Sequence, residues 1–118
     1  MRAPQSRGAF TLVEIMIVVA IIGLLAAVAI PNFLKARTTA QKNACIANLR
    51  LVDSTVQQWA LEQKMLSTDT YLMSNTNLLS YFKGSVPPSC PAGGGGYVES
   101  PTVAGPPTCT LSAAGHTL

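Results

Sequence analysis

The chain is short of charge. Only 11% of its 118 residues are Asp, Glu, Lys or Arg, against 48% hydrophobic. So low a charged share means that one segment, rather than a large core, carries much of the apolar content. Past Glu62 only two acids remain, Asp69 and Glu99. That is a poor supply for a calcium ion, which takes several oxygen ligands. There is one histidine, His116, and there are three cysteines, Cys45, Cys90 and Cys109, with no C-x-x-C pair. This spacing does not offer zinc four ligands, so no metal is expected. No nucleophile stands at an informative distance from His116, which reads as structural or surface. Neither an enzyme nor a cofactor is expected. The run Gly93-Gly94-Gly95-Gly96 lacks the Lys-Ser/Thr and the helix of a phosphate loop. Two of the charges behind the net +3 come from Arg2 and Arg7, and the rest of the chain is close to neutral. A nucleic-acid module would cluster its basic residues on one face. Lys35, Arg37, Lys42 and Arg50 read instead as a solvated helix face or a contact with lipid headgroups.

What the chain does have is one long greasy run, GAFTLVEIMIVVAIIGLLAAVAIP, from Gly8 to Pro31. Between Ile15 and Ile30 no side chain is charged or strongly polar. As a helix, Phe10 to Ile30 spans about 31 Å, one bilayer core, whereas Ile15 to Ile30 alone spans only about 24 Å. A membrane-crossing segment therefore includes Glu14 or carries it at its edge. A carboxylate there costs at least about 3 kcal/mol unless a partner answers it. A cut between Ala9 and Phe10 would create that partner, an α-ammonium one turn from Glu14. Between neighbouring chains staggered by about one turn, the ammonium of one meets the Glu14 of the next. A pair of that kind fixes the register of a helical stack.

These residues, with Asn32 and Phe33 following, resemble the N-terminus of type IV prepilins and type II secretion pseudopilins. The resemblance implies a basic leader, residues 1–9, removed by a prepilin peptidase. It implies N-methylation of Phe10, Glu14 as the assembly carboxylate, and Gly23 and Pro31 as helix-softening or kink positions. It also implies a single-pass inner-membrane protein with its C-terminal part in the periplasm. That protein then polymerises with copies of itself and other pilin-like subunits on an inner-membrane assembly platform, into a periplasmic or extracellular filament. One departure is that Gly usually precedes the cut, whereas Ala9 does so here. A cut between Gly8 and Ala9 is the alternative, though it alters the Phe-to-Glu spacing.

Past Pro31 no Gly or Pro occurs through Lys64, so a kinked continuous helix is expected. Cys45, Leu49, Val52, Val56 and Trp59 recur at steps of four and three, one apolar stripe. Lys42, Asn48, Arg50, Asp53 and Gln57 are assigned to the opposite side. Trp59 reads as the anchor of a docking surface. A short helix over residues 77–84 is expected, capped by Asn77 and closed by Gly84, with Leu78, Leu79 and Phe82 inward. From Ser85 the composition turns to Gly, Pro, Ser and Thr. Tyr97-Val98 and Thr108-Cys109-Thr110-Leu111 read as two short strands. A Cys90–Cys109 disulfide closing a loop of about nineteen residues would stabilise such a tail by about 3 kcal/mol. Cys45 then reads as a buried thiol, with its pairing to Cys90 or Cys109 left open. The string CPAGGGGY…PPTC…GH also resembles the C-terminal region of some pilin-like proteins.

The expected fold is α+β and pilin-like. A long kinked N-terminal helix, transmembrane over 10–31 and amphipathic over 32–66, packs on a small disulfide-stapled β region in 67–118. The expected function is a filament subunit, a type II secretion pseudopilin or a compact type IV pilin. Two rivals stand beside it. One is a small secreted binding domain released by an ordinary signal peptidase after Ala27-Val28-Ala29. The other is a competence pilin touching DNA through Lys35, Arg37, Lys42 and Arg50. Two features speak against the ordinary signal: Pro31 beside the bond, and Glu14 at the start of the apolar run. The basic residues after the run oppose the orientation assigned here under the positive-inside rule; the leader and the cysteine chemistry outweigh them.

Overall fold

The computed structural model describes residues 8–118. Arg2, Arg7 and most of the expected leader lie outside the described residues. Helix α1 runs from Leu12 to Glu62, 51 residues. Thr11 starts it, its hydroxyl oxygen accepting the Glu14 amide at 3.2 Å. Thr11-Leu12-Val13-Glu14 has the sequence of a capping box, and the acid also suits the positive end of the helix dipole. Pro31 lies inside α1, where its nitrogen has no hydrogen for the Ala27 carbonyl. The far end closes through Lys64, whose φ is 55°. The Met65 amide reaches the Ala60 carbonyl at 2.9 Å and the Lys64 amide the Leu61 carbonyl at 3.2 Å. Those two bonds satisfy carbonyls that the last turn would otherwise leave bare.

The chain divides into two compact units, one ending at Ala36 and the other spanning Arg37–Leu118. In the first, every described side chain is exposed except half-buried Ala26. The second is built on the apolar stripe of α1. Cys45, Leu49, Val52, Val56 and Trp59 are all buried, as their spacing predicts. Tyr71, Leu78, Phe82, Tyr97 and Val103 complete the core. The rings of Trp59 and Tyr71 meet at 6.5 Å and 56°, a tilted aromatic pair.

Lys42, Asn48, Asp53 and Gln57 are half-buried, so they rim the stripe rather than oppose it. Gln57 Nε2 donates to the Val103 carbonyl at 2.6 Å and Asn48 Nδ2 to the Ser89 carbonyl at 3.2 Å. Gln41 Nε2 donates to the Pro91 carbonyl at 3.4 Å. Irregular chain has few ladder partners, and these side-chain amides supply some of the missing donors.

Helix α2 is short, Thr76–Leu79, and its cap is Asn75 rather than Asn77. Asn75 Oδ1 accepts the Asn77 amide at 2.9 Å. A 3₁₀ turn at Lys83–Ser85 follows, with Gly84 at φ 76°. Leu78 and Phe82 are buried and Leu79 is half-buried. Strands β1 (Ser89–Cys90) and β2 (Gly95–Gly96) pair antiparallel, Ser89 with Gly96 and Cys90 with Gly95. The expected Tyr97-Val98 and Thr108–Leu111 hairpin is reduced to one bridge, Val98 with Thr108, both bonds at 2.9 Å. Pro101, Pro106 and Pro107 flank it and cannot donate to a longer ladder.

Candidate functional site

Two places carry chemistry. The first is the entry to α1. Gly8, Ala9 and Phe10 are exposed and non-helical, and Phe10 is 79% accessible. Exposed, non-helical backbone of this kind is what a peptidase engages. Glu14 follows on the exposed first turn. By length and composition α1 can cross a membrane, and none of its most apolar window is buried within the chain.

The second place is the heart of the Arg37–Leu118 unit. Cys45 comes from α1, Cys90 from β1, Cys109 from the segment after the Val98–Thr108 bridge, and His116 from near the C-terminus. Their three sulfurs and one ring nitrogen all lie within 4.8 Å of one another, and all four residues are buried. His116 Nδ1 is 3.6 Å from Cys90 Sγ. The Leu111 amide donates to Cys109 Sγ at 3.4 Å. Burial pushes the Cys45 thiol up to about 12, although a hydrogen bond from Tyr97 pulls the other way. Burial also works to raise Cys90, but there it is outweighed. The Ala92 amide, the Cys45 thiol, the Gly94 amide and His116 together bring Cys90 down to about 6.

The glycine run is what lets the chain turn so tightly beside Cys90. Gly93 and Gly95 sit at φ 89° and 74°, and a Cβ on Gly94 would come within 2.8 Å of Thr110 Oγ1 and 3.3 Å of Cys90 Cβ. The Thr110 hydroxyl donates to the Gly94 carbonyl at 2.5 Å.

Residues 4–30 match the family model of the prokaryotic N-terminal methylation motif. The chain carries that motif. It is homologous to the type IV major pilin protein PilA of Myxococcus xanthus, 55% identical over 47 residues, which is 40% of this chain and 21% of that protein. It is likewise homologous to type II secretion system core protein G. Identity is 32% over 62 residues for the Escherichia coli protein, 52% of this chain and 43% of that one. For the Klebsiella michiganensis protein it is 32% over 85 residues, 71% of this chain and 56% of that one. The chain thus spans from a fifth to just over half of the length of these relatives. No solved structure matches it significantly.

Within the methylation motif fall Gly8, Ala9, Phe10, Glu14 and Gly23, and Pro31 stands immediately after it. Sequence spacing passed over the cap that the Thr11 hydroxyl provides to the Glu14 amide, though the Thr-x-x-Glu signal was there to be read. The cysteines require a correction. A Cys90–Cys109 disulfide is expected from the sequence, but all three cysteines are free thiols in the structure. Cys45 lies on the face of α1 where the tail docks, so the three sulfurs converge and no one pair is singled out. The expectation of no metal rested on sequence spacing, and the fold removes that basis by gathering four separated ligands. No short motif announced the cluster; the one available signal was Cys45 lying on the buried stripe.

Proposed function

We propose that this chain is a membrane-anchored subunit of a pilin-like filament, either a type II secretion pseudopilin or a compact type IV pilin. A prepilin peptidase cuts between Ala9 and Phe10 and the new amine of Phe10 is methylated. Residues 10–31 hold the subunit in the inner membrane, with the remainder in the periplasm, until that same helix packs into the filament. Glu14 pairs with the Phe10 amine of a neighbouring copy. Gly23 and Pro31 are the points at which the helix yields during assembly. The observation that carries this reading is a helix whose apolar N-terminal stretch is bare and opens inside the methylation motif, with a single acid one turn from Phe10. A carboxylate in that setting demands a cation, and processing creates one.

Mass spectrometry of the mature N-terminus tests the reading. The expected product starts at Phe10 and bears one added methyl group. A start at Ala9 keeps the subunit and moves the cut to Gly8. A start at Ile30 removes the helix and leaves a secreted domain, which is incompatible with a filament.

A further inference from the structure

We propose that Cys45, Cys90, Cys109 and His116 form a structural zinc site that fastens the C-terminal segment to α1. A tetrahedral zinc with sulfur at about 2.3 Å and nitrogen at about 2.0 Å sets its ligands about 3.5–3.8 Å apart. The four ligand atoms already lie within 4.8 Å of one another, and the Cys90 Sγ to His116 Nδ1 distance of 3.6 Å falls in that range. A small contraction around an ion closes the rest.

The donor set chooses the metal. Three sulfurs and an imidazole are soft and borderline ligands that suit zinc and exclude calcium, magnesium and manganese. Burial chooses the role. The four residues are between 0% and 6% exposed, so all four coordination positions come from protein and no open one is left for a substrate. A backbone amide aims at one of the sulfurs, from Leu111 to Cys109 at 3.4 Å. Such a donor favours thiolate over thiol, which is the form that ligates. On binding, each cysteine still protonated gives up its proton to solvent. Three thiolates and a neutral imidazole around Zn²⁺ leave one net negative charge. Lys42 offers a nearby cation: its Nζ packs so close to Gly115 that a Cβ there would lie 2.6 Å from it. A cleft of about 410 Å³ lined by Lys42 and Ala114 reaches His116 and provides an entry path.

The fold also has a use for the ion. Past Glu62 the chain has one four-residue helix, two 3₁₀ turns and a two-stranded ladder of two residues per strand. A small, loop-rich region of this kind gains order from a metal staple.

The test uses the full-length chain, extracted in detergent from cells grown with zinc and treated with an alkylating reagent at lysis. The expected result is about one zinc per chain by elemental analysis. All three cysteines stay unalkylated until a chelator removes the metal. Cobalt substitution then gives tetrahedral ligand-field bands with thiolate charge transfer. Cys109→Ser and His116→Ala lose zinc to a chelator concentration that leaves the parent loaded, whereas His116→Cys retains it. A zinc-free parent overturns the proposal, whether two of its thiols are joined in a disulfide or all three are open to the reagent. Zinc content unchanged in both Cys45→Ser and Cys109→Ser places the metal elsewhere and equally overturns it. The parent chain's metal content and alkylation decide the matter even if a variant fails to fold.

Discussion

The Tyr97 hydroxyl lies within donating distance of two Cys45 acceptors, the carbonyl oxygen at 3.4 Å and Sγ at 3.6 Å. One tyrosine thereby ties the glycine-rich tail to the helix turn that carries the first cysteine. Tyr97→Phe keeps the ring in the core and removes only the hydroxyl that makes both contacts. It is expected to cost about 1 kcal/mol, a fall of several degrees in a melt followed by Trp59 fluorescence. An unchanged melting temperature would show the bond to be idle.

Two adjacent glycines separate backbone strain from side-chain crowding. Gly95 has φ 74° with open space around it, while Gly96 has the same open space and no positive φ. Gly95→Ala is expected to destabilise by about 1–2 kcal/mol, because an L-residue resists the left-handed region. Gly96→Ala is expected to be close to neutral. Urea unfolding of both variants compares them directly, and equal midpoints would contradict the assignment of strain to Gly95.

Two glutamines side by side on α1 make a second paired comparison. Gln57 spans 46 residues of sequence to the Val103 carbonyl, whereas Gln58 donates to Glu62 on the exposed face, at 3.3 Å. Gln57→Ala should cost about 1 kcal/mol by stripping a part-buried carbonyl of its donor. Gln58→Ala should cost a few tenths at most, about 0.2–0.5 kcal/mol. Denaturant midpoints that rank the two the other way would refute the bridging role of Gln57.

At the start of α1, cap and carboxylate can be tested apart. Glu14→Ala is expected to stay in the membrane fraction and to form no sedimentable filaments. Thr11→Ala loses a helix cap worth about 1 kcal/mol but keeps the carboxylate, and is expected to assemble. Filaments from the Glu14 variant, counted by electron microscopy, would remove the pairing mechanism.

Periodicity was readable wherever one physical demand acted alone. The stripe from Cys45 to Trp59 follows from helical spacing, and all five side chains are buried. The contact of Val98 with Thr108 was legible for a similar reason, since each lies in a short β-favouring run. Reading failed where partners come from far along the chain. Asn48 and Gln57 look like solvent-facing polar residues until Ser89 and Val103 arrive beside them. Asn75 and Asn77 are equally good caps by residue type, and only the backbone entering α2 decides between them. The convergence of Cys45, Cys90, Cys109 and His116 is the extreme case, because its separations, 45, 19 and 7 residues by subtraction of their numbers, match no local pattern.

Between Phe10 and Leu34 every large aliphatic or aromatic side chain faces outward. A solitary copy in water would leave that whole sleeve wet, so each copy must always be sheathed by something oily. Acyl tails and sibling helices are about equally oily, and swapping one sheath for the other changes little hydrophobic free energy. On the function proposed above, traffic between bilayer and fibre would then run both ways at small cost, with its direction set by the few polar atoms that tell the two surroundings apart.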